Sequence, residues 1–155
     1  MEAIIRGEKL LKLGQSILKD NKLPNYNLDA RILLANLLSL ENKYFISDIK
    51  VTNKDKEKFF SMIEDRVNGK PVSKIISKRD FWDTEFYINS STLDPRPDSE
   101  ILVESALEVN KLINKKKIKI LELGVGSGCI LLSLLNEING SIGIGIDKDI
   151  NTLKV

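Results

Sequence analysis

The segment ILELGVGSGC, residues 120–129, joins an apolar run with one acidic residue to three alternating glycines. A short apolar run bounded by glycine is typical of a buried strand, and glycine permits the left-handed backbone of a tight turn. The apolar residues at 129–137 then indicate a helix, and IGIGI at 142–146 indicates a second strand that ends at Asp147. Strand, helix and strand in this order predict a βαβ unit with parallel strands.

The glycine turn is a candidate site for a nucleotide-like cofactor. Glycine lets a ligand approach the backbone, the helix N-terminus offers free N–H groups, and a carboxylate after the second strand can bind ribose hydroxyls. A dinucleotide fingerprint would need glycine at Cys129 and a P-loop would need Gly-Lys-Ser/Thr, so the spacing disfavours both. A turn that is glycine-rich only because it is tight remains the alternative. The candidate cofactor-binding residues are Glu122, Gly124, Val125, Gly126, Ser127, Gly128 and Asp147.

Composition narrows the class of protein. The chain has 155 residues, 42% hydrophobic and 30% charged, and no apolar run near the roughly 20 residues of a membrane span. No secretory signal pattern is present at the N-terminus, so a cytoplasmic location without membrane partners is expected. The absence of histidine excludes Ser-His-Asp catalysis and histidine metal sites, and no metal is expected. Cys129, the single cysteine, is interpreted as a small core residue rather than a nucleophile.

Charge gives little sign of a nucleic-acid partner. The formal net charge is only +2, and direct nucleic-acid binding is not expected. Lys115, Lys116 and Lys117 form a local basic run, which is interpreted as a solvated helix end.

The chain divides into three predicted parts. Apolar spacing predicts helices over 3–18 and 28–40 and a third from a cap at Thr52 or Asn53 to residues 68–69, so residues 1–69 form a small helical domain. Residues 70–97 are predicted to form a β-hairpin linker, with strands near 72–76, 81–82 and 86–88. Pro95 and Pro97 should hold Arg96 in an extended conformation. Residues 98–155, with a helix capped by Asp98 or Ser99, begin an α/β domain.

Two motifs resemble known families. Glu122 with the alternating glycines, followed by Asp147, resembles motif I of class I S-adenosylmethionine-dependent methyltransferases. The segment 71–100, with PRPDSE at 95–100, resembles the lead-in of the HemK/PrmC family, the N5-glutamine methyltransferases of peptide chain release factors. The resemblance covers essentially the whole chain. It implies an α/β fold with a helical substrate-docking domain, a β-hairpin linker and the start of a Rossmann-like catalytic domain.

The resemblance also implies a chemistry and its residues. The family transfers a methyl group from S-adenosyl-L-methionine to the glutamine of a release factor's Gly-Gly-Gln motif. By this resemblance Gly124 to Gly128 cradle the methionine end of the cofactor, Glu122 faces its ammonium group and Asp147 holds its ribose. The resemblance also implies a secondary contribution to the site from Arg96, Ser99 and Glu100. A purely structural role for these residues is an equally good alternative.

The chain also departs from the family pattern. The family has an aliphatic residue at Asp94, glycine at Ser77 and Asp83, threonine at Ser99 and often aspartate at Glu122. The catalytic Asn-Pro-Pro-Tyr of the family does not occur before the last residue, and only two of the about seven strands of such a sheet can be found. No catalytic residue is therefore assigned, and a fragment is expected in which the helical domain and hairpin are better ordered than 118–155. Methyl transfer by these 155 residues alone is not expected.

Two other functions stay open. The chain could be an inactive module that binds release factors through its helical domain, or a fragment of a related methyltransferase that acts on nucleic acid. The weak net charge argues against the nucleic-acid methyltransferase, and so does the linker, which resembles that of the release-factor enzymes.

Overall fold

The computed structural model describes residues 5–40, 46, 49–113 and 117–155. The chain forms two compact units, Met1–Ile76 and Ser77–Val155, and the fold is mixed α/β with helices predominating in the first unit. Within the described ranges no helix combines the length and apolar character that a membrane crossing requires. The division into a docking domain (1–69), linker (70–97) and cofactor domain (98–155) stays a prediction.

The first unit is a set of helices with one small sheet. Its elements are β1 (Ile5–Arg6), α1 (Gly7–Asp20), α2 (Tyr26–Leu37), β2 (Lys50–Val51), α3 (Asn53–Val67) and α4 (Val72–Ile76). The prediction that the first helix includes residues 5 and 6 is wrong, because Ile5 pairs with Val51 in an antiparallel ladder. Residues 3 and 4 of that prediction lie outside the described residues.

The core of the first unit lies between α1, α2 and α3. Its fully buried side chains include Leu10, Leu18, Leu33, Leu34, Phe59 and Ile63. Gly14 lets α1 approach α3, since a Cβ there would lie 2.6 Å from the Phe59 ring. The Asp29 carboxylate, which is buried, accepts a 2.8 Å ion-pair hydrogen bond from Arg66 and so joins α2 to α3.

The start of α3 confirms the predicted cap. The Thr52 hydroxyl accepts a hydrogen bond from the Asp55 backbone N–H at 3.2 Å and donates to the Asp55 carboxylate at 2.7 Å. This satisfies one of the N–H groups that a helix leaves free in its first turn.

The prediction of a strand near residues 72–76 is wrong. The segment forms α4, in which the Pro71 carbonyl accepts hydrogen bonds from Lys74 and Ile75. The three apolar residues of this segment stand at i, i+3 and i+4, which places them on one helical face, and they pack against the core of the first unit: Val72, Ile75 and Ile76.

The second unit combines a hairpin with a βαβ unit. Its elements are β3 (Lys78–Phe81), β4 (Thr84–Tyr87), a 3-10 turn (Pro97–Ser99), α5 (Glu100–Ile113), β5 (Lys119–Leu123), α6 (Cys129–Glu137), β6 (Ile142–Ile146) and a 3-10 turn (Thr152–Lys154). The predicted hairpin is confirmed, but the prediction that Trp82 lies in its first strand is wrong, because Phe81 pairs with Thr84 and Trp82 and Asp83 form the two-residue turn. The predicted parallel pair is confirmed by the register from Lys119↔Ile142 to Leu123↔Ile146.

The lead-in to α5 has the expected backbone. Arg96, between two prolines, is extended with φ −104° and ψ 138°, which confirms the prediction. The chain then passes through the 3-10 turn, and α5 begins at Glu100. At the other end of α5, Lys115 and Lys116 of the basic run lie outside the described residues, and Lys117 is exposed.

Candidate functional site

The glycine turn lies across the carboxyl ends of β5 and β6. Gly124, Gly126 and Gly128 have φ of +75°, +55° and +78°, a region that favours glycine. The N–H groups of Gly124 and Val125 both donate to the Ile146 carbonyl, at 2.7 and 3.0 Å. The turn is therefore anchored to the end of the second strand as well as the first.

The space next to the first half of the turn is open. A Cβ built on Gly124 would meet no atom within 4 Å, and one on Gly126 would meet only the Gly124 carbonyl oxygen, at 4.0 Å. In contrast, a Cβ on Gly128 would lie 3.2 Å from the Leu132 side chain. Side chains of the described residues thus leave room at Gly124 and Gly126 for a ligand to reach the backbone.

Asp147 turns back toward the glycine turn. Its Oδ2 accepts a hydrogen bond from the Gly126 N–H at 2.9 Å, and its Oδ1 accepts one from the Asp149 N–H at 3.0 Å. The Asp149 N–H, and then that of Gly126, hold the pKa of Asp147 below its usual value, so the carboxylate is ionised at neutral pH. Each carboxylate oxygen can accept a further hydrogen bond, so a diol can bind while both contacts persist.

Glu122 lies beneath the turn, at the start of α6. Its Oε2 accepts a hydrogen bond from the Leu131 N–H at 3.0 Å, one of the N–H groups without a partner inside the helix. Burial raises the pKa of Glu122, and the Leu131 N–H opposes this in part. The carboxylate thus caps α6 from β5, with only one of its oxygens used by this bond.

The other predicted turn residues have different surroundings. Val125 is buried against β6, and Ser127 lines a cavity of about 350 Å³ between β4 and α6. Cys129 is partly buried in the first turn of α6, and this burial raises the pKa of its thiol. A thiol that stays protonated fits a packing role.

Two residues of β6 matter to the site and were missed by the sequence analysis. A Cβ on Gly145 would lie 2.6 Å from Val125, and one on Gly143 would lie 2.8 Å from Leu131. Glycine at these positions therefore lets the turn and α6 lie close to the strand. The signal was present in the alternation of isoleucine and glycine in IGIGI, which puts both glycines on one face.

The lead-in residues are not part of the turn. The Glu100 carboxylate accepts a hydrogen bond from the Trp82 N–H at 2.9 Å. Over the described ranges no hydrogen bond joins Arg96 or Ser99 to the glycine turn. In the same part of the chain, no group of three acidic or cysteine side chains is placed to hold a metal ion.

Comparison with known families finds a match within the first unit. Residues 9–76 match the PrmC N-terminal domain. The match begins at Lys9, within α1, and ends at Ile76, the last residue of α4 and of the first compact unit.

Similarity to curated proteins extends beyond this domain. The chain is 37% identical over 143 residues to the release factor glutamine methyltransferase of Bradyrhizobium diazoefficiens, covering 88% of this chain and 47% of that protein. It is 39% identical over 147 residues to the protein of the same name from Rhodospirillum rubrum, covering 94% and 44%. The corresponding protein of Buchnera aphidicola subsp. Baizongia pistaciae is 42% identical over 123 residues, covering 78% and 44%. The chain spans about half the length of these relatives.

Proposed function

We propose that this chain supplies the substrate-docking and cofactor-binding parts of an S-adenosylmethionine-dependent methyltransferase that acts on release factor glutamine. The relatives named release factor glutamine methyltransferase align with most of the chain. The observation that carries the proposal is the open glycine turn, bordered by the Asp147 carboxylate, in a chain whose residues 9–76 match the PrmC N-terminal domain. The target is the glutamine of the Gly-Gly-Gln motif.

The residues of the turn suit S-adenosylmethionine. Asp147 has acceptor capacity for both ribose hydroxyls, and Gly124 and Gly126 leave the backbone open to the methionine end. Glu122 is proposed to face the ammonium group with the carboxylate oxygen that Leu131 does not use. When bound, the cofactor supplies an electrophilic methyl group on its sulfonium. The chain's own part is to bind and orient it, since an amide nitrogen is a weak nucleophile and depends on alignment.

The parallel strands fit a Rossmann-like domain. In such sheets ligands bind at the carboxyl ends of the strands, and this is where the glycine turn and Asp147 lie. The proposal assigns the first unit to docking of the release factor and the second unit to the cofactor. A cytoplasmic location is part of the same proposal.

A binding module without catalysis is the second candidate function. The first unit has its own closed core, with Leu10, Leu33 and Phe59 fully buried, and its residues 9–76 match the PrmC N-terminal domain, which favours a docking unit that folds without the cofactor. In that case the chain would bind a release factor whether or not S-adenosylmethionine is present.

Calorimetric titration with S-adenosylmethionine tests the cofactor site. We expect saturable binding, and Asp147→Asn should weaken it by at least about tenfold, because a hydrogen bond to a charged group contributes about 1.5–3 kcal/mol. Asp83→Asn, which neutralises an exposed carboxylate in the hairpin turn, is the matched control and should bind as the parent does. Absence of binding by the parent, or equal binding by Asp147→Asn, would contradict the assignment.

A release-factor pull-down distinguishes the two functions. The enzyme assignment expects the factor to bind and the cofactor to bind with it. Binding of the factor by a chain that never binds the cofactor would support the module instead.

A further inference from the structure

The hairpin turn contains a strained tryptophan. Trp82, the only tryptophan of the chain, has φ +53°, in the left-handed region that bulky side chains rarely adopt. Such a conformation costs of the order of 1–3 kcal/mol and persists only where surrounding contacts hold it. The two-residue hairpin turn itself favours positive φ at its first position, and two carboxylates on two different helices add contacts that hold Trp82 there.

The first carboxylate holds the backbone of Trp82. Glu100, at the first position of α5, accepts a hydrogen bond from the Trp82 N–H at 2.9 Å. Glu100 is also the last residue of the PRPDSE run, which the cofactor site did not explain. The contact therefore gives this acidic residue a role in placing the hairpin.

The second carboxylate holds the side chain. Glu137, the last residue of α6, accepts a hydrogen bond from the Trp82 indole Nε1–H at 2.8 Å. The opposite end of α6 begins directly after Gly128 of the glycine turn. A helix of 9 residues is about 13 Å long, so a single short helix joins the turn to the tryptophan.

Packing reinforces the same connection. Phe81 and Phe86 of the hairpin make an edge-to-face contact with ring centroids 6.3 Å apart, and both pack with Val103 of α5 and Leu134 of α6. Residues of β4 also line the cavity of about 350 Å³, together with Ser127, Leu132 and Asn136. The orientation of the hairpin therefore sets the width of a cavity that reaches the glycine turn.

We propose that Glu100 and Glu137 are positioning residues that clamp Trp82 and hold the hairpin as a fixed wall beside the cofactor turn. The inference rests on the proposed function. Glu100 fixes the strained backbone, and Glu137 ties the indole to the helix that begins at the turn. Because one short helix connects the two places, we expect a ligand bound at the turn to alter the surroundings of the indole.

The clamp is tested first without ligand. The single indole gives one N–H resonance, and Glu137→Ala should make that proton exchange with solvent about fivefold faster, because one hydrogen bond is lost. Glu137→Gln, which keeps an acceptor oxygen, should restore slow exchange. Glu108→Ala, which removes an exposed carboxylate of α5, is the matched control. Equal exchange in Glu137→Ala and the parent, with unchanged circular dichroism, would overturn the clamp.

The link to the cofactor is tested by titration with S-adenosylhomocysteine, followed by calorimetry and by Trp82 fluorescence in the same samples. We expect the parent and Glu137→Gln to bind S-adenosylhomocysteine with a change in Trp82 emission. Glu137→Ala should bind it without that change. Binding by the parent without any change in emission would overturn the positioning role while leaving the proposed function intact. No binding by any variant would overturn the proposed function and the positioning role together.

Discussion

Ser77 illustrates how the backbone at one residue affects stability. It is exposed, opens the second unit and has φ +58°, at a position where the HemK/PrmC resemblance expects glycine. Its carbonyl accepts a hydrogen bond from the Ile88 N–H at 3.0 Å, so the conformation belongs to the base of the hairpin. A side chain in this region raises the energy of the folded state.

Ser77→Gly is therefore expected to raise the free energy of unfolding by about 1 kcal/mol, since glycine adopts positive φ without the steric cost. Urea denaturation measures this change. Ser90→Gly is the control, because Ser90 is also exposed but has no positive φ, and glycine there should only add freedom to the unfolded chain. Equal effects of the two substitutions would show that the strain at Ser77 is absent.

Glu122 should make stability depend on pH in a defined direction. Burial raises its pKa above the ordinary 4.5, so its contribution to stability is full below about pH 4.5 and is lost as pH rises through the folded-state pKa. Glu122→Gln removes this titration and keeps an oxygen to accept from Leu131. The stability of the variant relative to the parent should therefore increase as pH rises from about 4 to 7.

Urea denaturation across this pH range measures the difference. Glu108→Gln, at an exposed position of α5, should show no such trend. A relative stability of Glu122→Gln that falls with rising pH would mean that the carboxylate is better stabilised in the folded protein than in the unfolded chain.

The sequence predicts those site residues whose structure depends on near neighbours in the chain. The alternating glycines and Asp147 were predictable because turn geometry depends on residues a few positions apart, although their role in binding stays a prediction. The contacts of Trp82 with Glu100 and Glu137 were not predictable, since they join residues 18 and 55 positions apart. The positive φ of Trp82 has no signal in its residue type either.

At the scale of elements, β6 has two unlike faces. Ile142, Ile144 and Ile146 are more than half exposed on one face, whereas Gly143 and Gly145 lie against α6 and the glycine turn. The strand therefore positions the candidate site by the closeness of its backbone rather than by side chains.

Gly145→Ala should disturb the site directly. The new methyl group would lie 2.6 Å from Val125, which is buried within the turn, so either β6 or the turn must shift. We expect a loss of about 1–3 kcal/mol in the free energy of unfolding, together with weaker S-adenosylmethionine binding. Chemical denaturation and calorimetry measure the two effects.

Ile144→Ala is the matched control on the neighbouring residue. Its side chain is 61% exposed on the opposite face, so truncation should cost less and leave binding unchanged. If both variants bind the cofactor as the parent does, the close approach of β6 to the turn has no part in binding.

Element prediction succeeded where neighbouring segments supported one another and failed where one short segment stood alone. The hairpin and the parallel strands were predicted because two apolar runs with turn residues between them constrain each other, although each strand has only four or five residues. The strand assigned near 72–76 was wrong because five residues support either period, and packing on the first unit's core favoured the helix.

For the molecule as a whole, the main unusual feature is that one apolar face of the β5–β6 sheet is exposed to solvent. Five apolar side chains project from it with exposed fractions from 51% to 74%: Leu121, Leu123, Ile142, Ile144 and Ile146. Parallel strands are normally covered on both faces, and contiguous exposed apolar surface promotes association.

The 155-residue chain should therefore self-associate at high concentration through this sheet. Sedimentation velocity should show a concentration-dependent rise in mass, and the double variant Leu123→Lys with Ile144→Lys should abolish it. Leu93→Lys is the control, because Leu93 is 76% exposed but lies outside the sheet. Association that survives the double variant would place the contact elsewhere.

The close approach of α1 to α3 at Gly14 also restricts how these two helices can align in the first unit. The Phe59 ring occupies the place where any larger residue of α1 would project. Sliding α1 by one residue would bring Leu13 or Gln15 to that place, where neither fits. The Phe59 ring therefore restricts α1 and α3 to the alignment that places Gly14 against it.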